Sequence, residues 1–592
     1  MTEDNLTERP WPLIHLCKEK GMIDELDLTL AKNLLKNEKD KKEEWALFLC
    51  HMSRSLREGS LAVSLESGKL MPSPVSIWKD KKKDPLLSPV DIAAVEEKII
   101  EGFHLPASLV HERSTEKAAD KPIIREGNRL YFQRSLRAEE RFLQSMTQFL
   151  KFRKKDKFDR QKAMLFVEEM KRSGSLEEKQ AQAALAFLDS AITLIMGGPG
   201  TGKTYTAAMI VRMLQQARIS SEPYKIALAA PTGKAASNLK QALSKCGATE
   251  GIEEPRTLHS LLNLGYQSKE VKSPYQLSHD LYIIDEASMI DIELMTALLR
   301  SMKPTAKAIF LGDQNQLPPI DLGSPFSDIA DAKDNLPPSL SCVELNVSIR
   351  CETKDILELS KLMLEGDGNK TVQFLKVPRE EVEWRPIHDE GDKEILGHIV
   401  ASSKLKYEWM VRENLTDTEL FQLKSTFTVL TPFRVGMLGS EAINHAINKA
   451  FATATSKGAV PIIILENKPD LGLFNGDIGF LKEGHSGQRK AIFLKQNTVE
   501  TIAFPEAILP KYEWAFCLSI HKSQGSEFQE ALIVLPEGSE HFGKKIAYTA
   551  LTRVKKRACL VAREETLCKI LSEKTPRTSG IAEKVLQLSC TS

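Results

Sequence analysis

The sequence predicts an α/β protein in which helices cover parallel sheets. Two series of short apolar segments alternate with helical segments, and this alternation is typical of parallel sheets with helices on both faces. A glycine-rich loop interrupts the first series, whereas the second series has none. The predicted strands are residues 192–196, 226–230, 281–284 and 308–311 in the first series, and 426–430, 514–519, 531–535 and 558–562 in the second. Two such units with one loop indicate a site in the cleft between them.

Length and composition narrow the class of protein. At 592 residues the chain is too long for one hydrophobic core, so we expect several domains. The net charge of +1 provides no overall basic field, so any polyanion must be held by local grooves. The nine cysteines include no C-x-x-C pair, which argues against zinc and against a disulfide framework. No stretch reaches the roughly 18 apolar residues of a membrane span. We expect a cytoplasmic protein without membrane contact.

Residues 1–112 are predicted to form a helical N-terminal domain. Helical spacing of apolar residues covers 24–35 and 44–56. Residues 123–132 have the pattern of a β-hairpin, with a Gly-Asn pair at the turn. We expect this hairpin to open the next domain.

The glycine-rich loop follows the buried strand 192–196 and precedes a helix. Its residues are Gly197, Gly198, Pro199, Gly200, Thr201, Gly202, Lys203 and Thr204, which match G-x-x-x-x-G-K-[ST]. Glycines allow backbone N–H groups to surround phosphate oxygens, and the helix adds its positive N-terminal end. Lys203 can reach the terminal phosphates, and the Thr204 hydroxyl can coordinate Mg²⁺. The loop predicts a site for a nucleoside triphosphate.

Two carboxylates, Asp285 and Glu286, come directly after the predicted strand 281–284. Ligands of open α/β sheets bind at the carboxyl ends of the strands. Asp285 can therefore hold Mg²⁺, directly or through water, and Glu286 can orient and deprotonate the attacking water. The alternative is that the pair only caps the next helix. The phosphate-binding loop upstream favours a catalytic function.

Gln316 and two arginines complete the candidate chemistry. Gln316 follows the predicted strand 308–311, where its amide can sense the γ-phosphate by hydrogen bonding, although polar residues in this place often form only a turn. Arg350 and Arg553 are candidates for stabilising charge on the phosphates from across the cleft. An arginine that contributes only when the domains close would couple hydrolysis to motion.

The order and spacing of these motifs resemble the RecD-type branch of superfamily 1 helicases. The strings that carry the resemblance are residues 230–236, 257–259, 285–288, 312–317, 520–528 and 548–553. The resemblance runs from about residue 122 to 562. It implies two RecA-like P-loop domains, at residues 113–345 and 346–592. It also implies ATP-driven 5′-to-3′ movement on single-stranded DNA and unwinding of duplex DNA.

The resemblance also implies ATP and Mg²⁺ as cofactors and a function for individual residues. Gln180 would be the glutamine that reads adenine, and Gln316 would be the γ-phosphate sensor. Arg350 and Arg553 would be the paired arginines. Thr204 and Asp285 would be the metal ligands.

Two insertions and a set of polar residues are placed by the same resemblance. Residues 263–279 take the place of a small hairpin in the first domain. Residues 452–512 are rich in β-branched residues and turn signals, and they fit a small SH3-like β-barrel inserted in the second domain. The residues at family positions near the DNA strand are Thr232, His259, Asn475, His521 and Thr549. Each could equally be a polar residue that completes a hydrogen bond in the core.

The N-terminal region decides between a subunit of a complex and a free-standing enzyme. Residues 25–35 and 47–65 resemble the opening of the α subunit of exodeoxyribonuclease V. In that family the region docks onto the γ subunit, and nuclease activity belongs to the β subunit. The resemblance therefore implies a heterotrimer with RecB-like and RecC-like partners that acts on DNA in recombination and double-strand-break repair. A free-standing helicase and a scaffold with a decayed ATPase are the alternatives, and the intact motif residues argue against decay.

Overall fold

Four β-sheets organise the part of the chain that the structure describes. The structure is a computed structural model. It describes residues 11–78, 92–113, 121–151, 157–264, 277–347, 354–388, 391–412, 415–451, 458–483, 488–495, 500–573 and 577–588. No helix within these ranges has both the length and the apolar character needed to cross a membrane.

The N-terminal domain combines helices with a five-stranded sheet in the order β2-β1-β5-β4-β3. Its elements are α1 (Pro12–Glu19), α2 (Glu25–Leu34), α3 (Glu43–Arg57), β1 (Ala62–Glu66), β2 (Lys69–Met71), α4 (Pro74–Ile77), α5 (Ile92–Glu101), β3 (Val110–Glu112), β4 (Ile123–Glu126) and β5 (Arg129–Phe132). The helices predicted from apolar spacing are present as α2 and α3.

The β4–β5 hairpin corrects the expected boundary at residue 112. The hairpin forms as predicted, but β5 pairs with β1 instead of opening the next domain. Ile123 and Leu130 are buried in the same apolar cluster as α3, which explains the pairing, because this core receives the apolar face of the hairpin. The N-terminal sheet therefore extends to residue 132.

The first α/β domain holds a six-stranded sheet in the order β11-β6-β10-β9-β7-β8, in which all pairs are parallel. Its elements are α6 (Gln133–Lys151), α7 (Arg160–Arg172), α8 (Glu178–Asp189), β6 (Ile192–Met196), α9 (Lys203–Gln216), β7 (Ile226–Ala230), α10 (Gly233–Lys245), β8 (Arg256–Thr257), α11 (Leu258–Leu261), β9 (Leu281–Ile284), α12 (Ile292–Ser301), β10 (Lys307–Gly312), α13 (Pro325–Asp331) and β11 (Leu340–Glu344). Every residue of β6, β7, β9 and β10 is buried, as expected for strands covered by helices on both faces.

The second α/β domain repeats this architecture with a five-stranded parallel sheet. Its elements, including an insertion, are α14 (Lys354–Glu365), α15 (Gly368–Lys376), β12 (Val382–Pro386), α16 (Asp392–Lys406), α17 (Asp417–Lys424), β13 (Phe427–Thr431), α18 (Ser440–Phe451), β14 (Ala459–Ile464), β15 (Ile478–Glu483), β16 (Arg489–Leu494), β17 (Thr501–Pro505), β18 (Tyr512–Trp514), β19 (Cys517–Ser519), β20 (Phe528–Leu535), α19 (Lys544–Leu551), β21 (Val554–Ala562), α20 (Glu564–Ser572) and α21 (Ile581–Gln587). The sheet order is β12-β21-β20-β13-β19. The predicted α/β class is confirmed by these two parallel sheets.

The insertion is an antiparallel sheet in the order β17-β16-β15-β14-β18 with its own small apolar cluster. Among the described residues, β17 and β18 at its two edges do not pair, so closure into the predicted barrel is not observed. Of the predicted hairpin at 263–279, residues 265–276 lie outside the described ranges.

The C-terminal segment returns to the beginning of the chain. The carbonyl of Thr578 accepts hydrogen bonds from the backbone N–H groups of Leu61 (2.9 Å) and Ala62 (3.1 Å). Helix α21 packs on α6 and α13 of the first α/β domain. This segment therefore connects the end of the chain to the first two domains.

Candidate active site

A cleft of about 920 Å³ separates the two α/β domains. The first domain lines it with the phosphate-binding loop, Asp285, Glu286 and Gln316, and the second domain lines it with Thr552 and Arg553. The site predicted between the two units is therefore present. Both domains contribute side chains to it.

The phosphate-binding loop connects the end of β6 to the start of α9. Gly200 (φ 77°) and Gly202 (φ 86°) adopt the left-handed conformation that glycine accepts without a steric penalty. The Lys203 ammonium donates hydrogen bonds to the carbonyls of Gly197 (2.6 Å) and Gly198 (3.0 Å), so it lies within the curve of the loop. A glycine-rich loop, a lysine within its curve and the N-terminus of a helix together suit a phosphate chain.

Gln180 lies beside this loop near the start of α8. Its side chain is buried and lines the cleft. Its Nε2 donates to the Thr201 carbonyl at 3.4 Å, and its Oε1 accepts from the Glu177 N–H at 3.1 Å. These bonds tie the first turn of α8 to the phosphate-binding loop.

Asp285 and Glu286 stand at the carboxyl end of β9, but their environments differ. The Asp285 carboxylate accepts a hydrogen bond from the Glu286 N–H at 2.8 Å. Desolvation at the floor of the cleft, followed by the negative charge of Glu286, raises the pKa of Asp285 to about 7. Glu286 has a left-handed backbone (φ 51°), which costs a non-glycine residue about 1 kcal/mol. Such backbone strain concentrates at functional sites.

Arg553 crosses from the second domain to the acidic pair. It is 4% exposed, and its Nη1 lies 3.7 Å from Glu286 Oε1. Its Nε donates to the Thr549 carbonyl at 3.3 Å, which fixes the base of the guanidinium. Arg350, the other predicted arginine, lies outside the described residues. Arg553 therefore brings a positive charge from one domain to the catalytic candidates of the other.

Helix α19 joins the two domains at a loop that follows β10. We call residues 313–324 the bridging loop. Three side chains of α19 bond to it: Lys545 Nζ donates to the Gln314 carbonyl (2.9 Å), Tyr548 donates to Asp313 Oδ2 (2.8 Å), and Thr549 Oγ1 accepts from the Leu317 N–H (3.0 Å).

No function is predicted from the sequence for Lys545, Tyr548 or Asp313. The spacing of Lys545, Tyr548, Thr549 and Thr552 at i, i+3, i+4 and i+7 places them on one helix face, and this polar face was the available signal.

Thr549 corrects one prediction of DNA contact. Its side chain is fully buried, and its hydroxyl accepts the Leu317 N–H at the domain seam. A residue in this environment has no surface to offer a strand of DNA. Thr549 therefore belongs to the interface between the two α/β domains.

The other four candidates for DNA contact lie outside the cleft. Thr232 caps the N-terminus of α10, with its Oγ1 accepting the Ala235 N–H at 3.3 Å. His259 is exposed on α11, and Asn475 is exposed in the connection between β14 and β15 of the insertion. His521 packs against Phe542 with 5.7 Å between ring centroids, and burial lowers its pKa.

The structure has two parallel-sheet domains that face each other across a cleft. The first supplies a phosphate-binding loop and the second supplies an arginine. This arrangement defines a nucleotide-binding protein of the P-loop helicase class. Family models match three segments: an AAA domain at residues 175–380, a UvrD-like helicase C-terminal domain at 515–561, and the N-terminal domain of RecBCD enzyme subunit RecD at 19–131. Together with the relatives below, these matches show that the chain is similar to RecD-type helicases.

Similar proteins include the RecBCD enzyme subunit RecD of Mycobacterium tuberculosis, which is 27% identical over 603 residues, covering 98% of this chain and 97% of that protein. The RecD subunit of Haemophilus influenzae is 26% identical, with 78% of this chain and 80% of that protein covered. The ATP-dependent RecD2 DNA helicase of Deinococcus radiodurans is 27% identical, but only 48% of it and 64% of this chain align. The crystal structure of Pif1 helicase from Candida albicans matches with a TM-score of 0.38 and 16% identity, over 70% of this chain and 99% of that one.

Proposed function

We propose that this chain is an ATP-driven motor that moves 5′-to-3′ along single-stranded DNA and unwinds duplex DNA. The observation that carries the proposal is the approach of Arg553 to Glu286 across the cleft. Hydrolysis in a cleft built by two domains changes the contacts of both, so each cycle can open and close them. If the two α/β domains bind the DNA strand tightly in turn, each cycle would move the protein along it.

The cleft contains a residue for each step of phosphoryl transfer. Lys203 holds the terminal phosphates, and Arg553 neutralises negative charge that develops on them. Glu286 orients and deprotonates the attacking water. The Thr204 hydroxyl and the Asp285 carboxylate are the oxygen ligands that Mg²⁺ prefers, and both line the cleft. Bound Mg²⁺ would neutralise charge on the phosphates.

The proposed DNA contacts are Thr232, His259, Asn475 and His521. Non-specific binding of a single strand requires contacts to phosphates and stacking surfaces for bases. The four residues lie on both α/β domains and on the insertion, and none of them lines the nucleotide cleft. DNA held by these residues would therefore not occupy the site of ATP.

We further propose that the chain is the motor subunit of an exodeoxyribonuclease V complex in the cytoplasm, with RecB-like and RecC-like partners. The alignment spans nearly the full length of a RecBCD subunit, whereas it spans less than half of the RecD2 helicase. The match at 19–131 supports docking through the N-terminal domain. A free-standing helicase is the alternative.

Unwinding of tailed duplexes tests the proposal. The chain is purified alone and with its co-expressed partners, as wild type, Lys203→Gln and Lys162→Gln, the last an exposed lysine of α7. We expect the wild type and Lys162→Gln to hydrolyse ATP with DNA and to unwind 5′-tailed duplexes, and Lys203→Gln to lose both activities of this subunit. Unchanged activity of Lys203→Gln, or unwinding by the isolated chain from 3′ tails only, would overturn the motor proposal. Full unwinding without partners would favour the free-standing alternative.

A further inference from the structure

A chain of hydrogen bonds runs from the second α/β domain to the proposed γ-phosphate sensor. Tyr548 on α19 donates to Asp313 Oδ2 at 2.8 Å, and the same oxygen accepts from Gln316 Nε2 at 3.4 Å. The other oxygen of Asp313 accepts the Asn315 N–H at 3.0 Å. All three side chains of the relay, Tyr548, Asp313 and Gln316, are at most 4% exposed. The relay is therefore buried, and its Asp313 and Gln316 ends border the nucleotide cleft.

The relay determines which end of the Gln316 amide faces Asp313. A carboxylate is only an acceptor, so it binds the NH₂ end of an amide and repels the oxygen. Gln316 Oε1 is buried and makes no hydrogen bond to the residues that the structure describes. Gln316 also lines the nucleotide cleft. In this orientation Oε1 can accept a hydrogen bond from a water molecule. The second hydrogen on Nε2 can be donated to a phosphate oxygen.

Tyr548 is a permanent donor in this relay. Burial and the negative charge of Asp313 raise the pKa of its phenol, which favours the protonated hydroxyl that donates to Asp313. Its hydroxyl also lies over the phosphate-binding loop, since a Cβ placed on Gly198 would stand 3.0 Å from it. Tyr548 thus reaches both the loop and Asp313 from the opposite domain.

We infer that Tyr548 is a positioning residue that holds Asp313, and through it the Gln316 amide, in the orientation needed for hydrolysis. The inference rests on the proposed function and deepens it, because Tyr548 and Gln316 belong to different domains. Separation of the domains removes the donor from Asp313 and frees the amide to turn. The relay therefore makes the orientation of Gln316 depend on closure of the cleft.

Tyr548→Phe tests the inference by removing one hydroxyl and keeping the ring. We expect the kcat of DNA-stimulated ATP hydrolysis to fall about 3- to 10-fold, the effect of one lost hydrogen bond, with KM for ATP unchanged. Gln316→Ala should lower kcat further, and Tyr548→Phe should have no additional effect in the Gln316→Ala background. An equal decrease in both backgrounds would show that Tyr548 acts independently of Gln316 and would overturn the inference.

Tyr407→Phe is the matched control. Tyr407 is fully buried in the second α/β domain, and its hydroxyl donates to the Phe516 carbonyl at 2.8 Å, away from the cleft. Both tyrosine variants should lose thermal stability, but only Tyr548→Phe should lose kcat. A wild-type kcat for Tyr548→Phe in an active protein would overturn this inference alone. A wild type without DNA-stimulated hydrolysis would overturn the proposed function and the inference with it.

Discussion

Two neighbouring carboxylates acquire different properties at the end of one strand. Asp285 lies where desolvation raises its pKa to about 7, and Glu286 turns through a left-handed backbone to meet Arg553. A cation placed beside Asp285 would favour its charged form. The two side chains are acidic and adjacent in sequence, but their surroundings differ. Asp285 is the proposed metal ligand, and Glu286 is the proposed base.

Arg553→Lys tests the contribution of the guanidinium. Lysine keeps the positive charge but loses the planar fork that can bond two oxygens at once. We expect kcat for ATP hydrolysis to fall at least about 100-fold, because arginines of this kind act on the transition state. Binding of a fluorescent ATP analogue should change little.

The control for this prediction is Arg557→Lys, since Arg557 is an exposed arginine on β21, the strand that begins directly after Arg553. A similar small loss of kcat in both variants would contradict a function of Arg553 in phosphoryl transfer.

The sequence predicts individual residues well where a motif fixes the chemistry. The strand-loop-helix context identified Lys203, and the structure places it within the phosphate-binding loop. Tyr548 and Thr549 were harder, because their functions depend on which loop of the other domain they meet. A sequence motif indicates that a residue lies near a site. Only the contacts between the two folded domains show whether its side chain forms a buried hydrogen bond or is available at the surface.

At the scale of elements, strands were predicted where burial is complete. Runs such as 192–196 and 281–284 are mostly apolar, and each forms a fully buried strand. The hairpin at 123–132 was predicted correctly as an element, but its partner was not. Strand pairing depends on packing against distant neighbours, and local sequence carries little information about which edge a hairpin joins.

Helix α21 depends on a buried ion pair, which gives a prediction for Lys584→Met. Lys584 Nζ lies 2.7 Å from Glu139 Oε1, and Glu139 is fully buried in α6. Removing the lysine leaves the carboxylate without its cation, so we expect the free energy of unfolding to fall by about 3 kcal/mol in urea titrations.

Glu139→Gln combined with Lys584→Met is the control, and it should recover much of the loss, because residue 139 is then neutral and Glu126, the other partner of Lys584, keeps its ion pair with Arg113. If the double variant is no more stable than Lys584→Met, the buried charge is not the cause.

At the scale of the whole molecule, the bridging loop connects three parts of the chain. The Gly323 N–H donates to the Gly59 carbonyl of the N-terminal domain at 2.9 Å. Arg577, from the C-terminal segment, donates to the carbonyls of Pro319 (2.5 Å) and Asp321 (3.1 Å). One loop therefore contacts α19, the N-terminal domain and the end of the chain.

Arg577→Met should loosen this junction. The variant keeps an apolar stem but removes the donors to the bridging loop, so we expect a loss of about 1–3 kcal/mol in stability. Limited proteolysis should cut between the N-terminal domain and the first α/β domain faster than in the wild type.

Arg563→Met is the matched control, because Arg563 donates to the His388 carbonyl within the second α/β domain. If cleavage between the N-terminal domain and the first α/β domain is accelerated equally in both variants, Arg577 does not stabilise the contact between these domains.

The bond between Gly323 and Gly59 has a thermodynamic consequence. The bridging loop contributes Gln316 to the nucleotide cleft and bonds through Gly323 to the N-terminal domain, so one short segment connects the two places. Linkage is reciprocal: if occupancy of the cleft changes the affinity of the N-terminal domain for another protein, that protein changes the affinity for nucleotide by the same factor. A subunit anchored there would then be an allosteric effector of ATP binding.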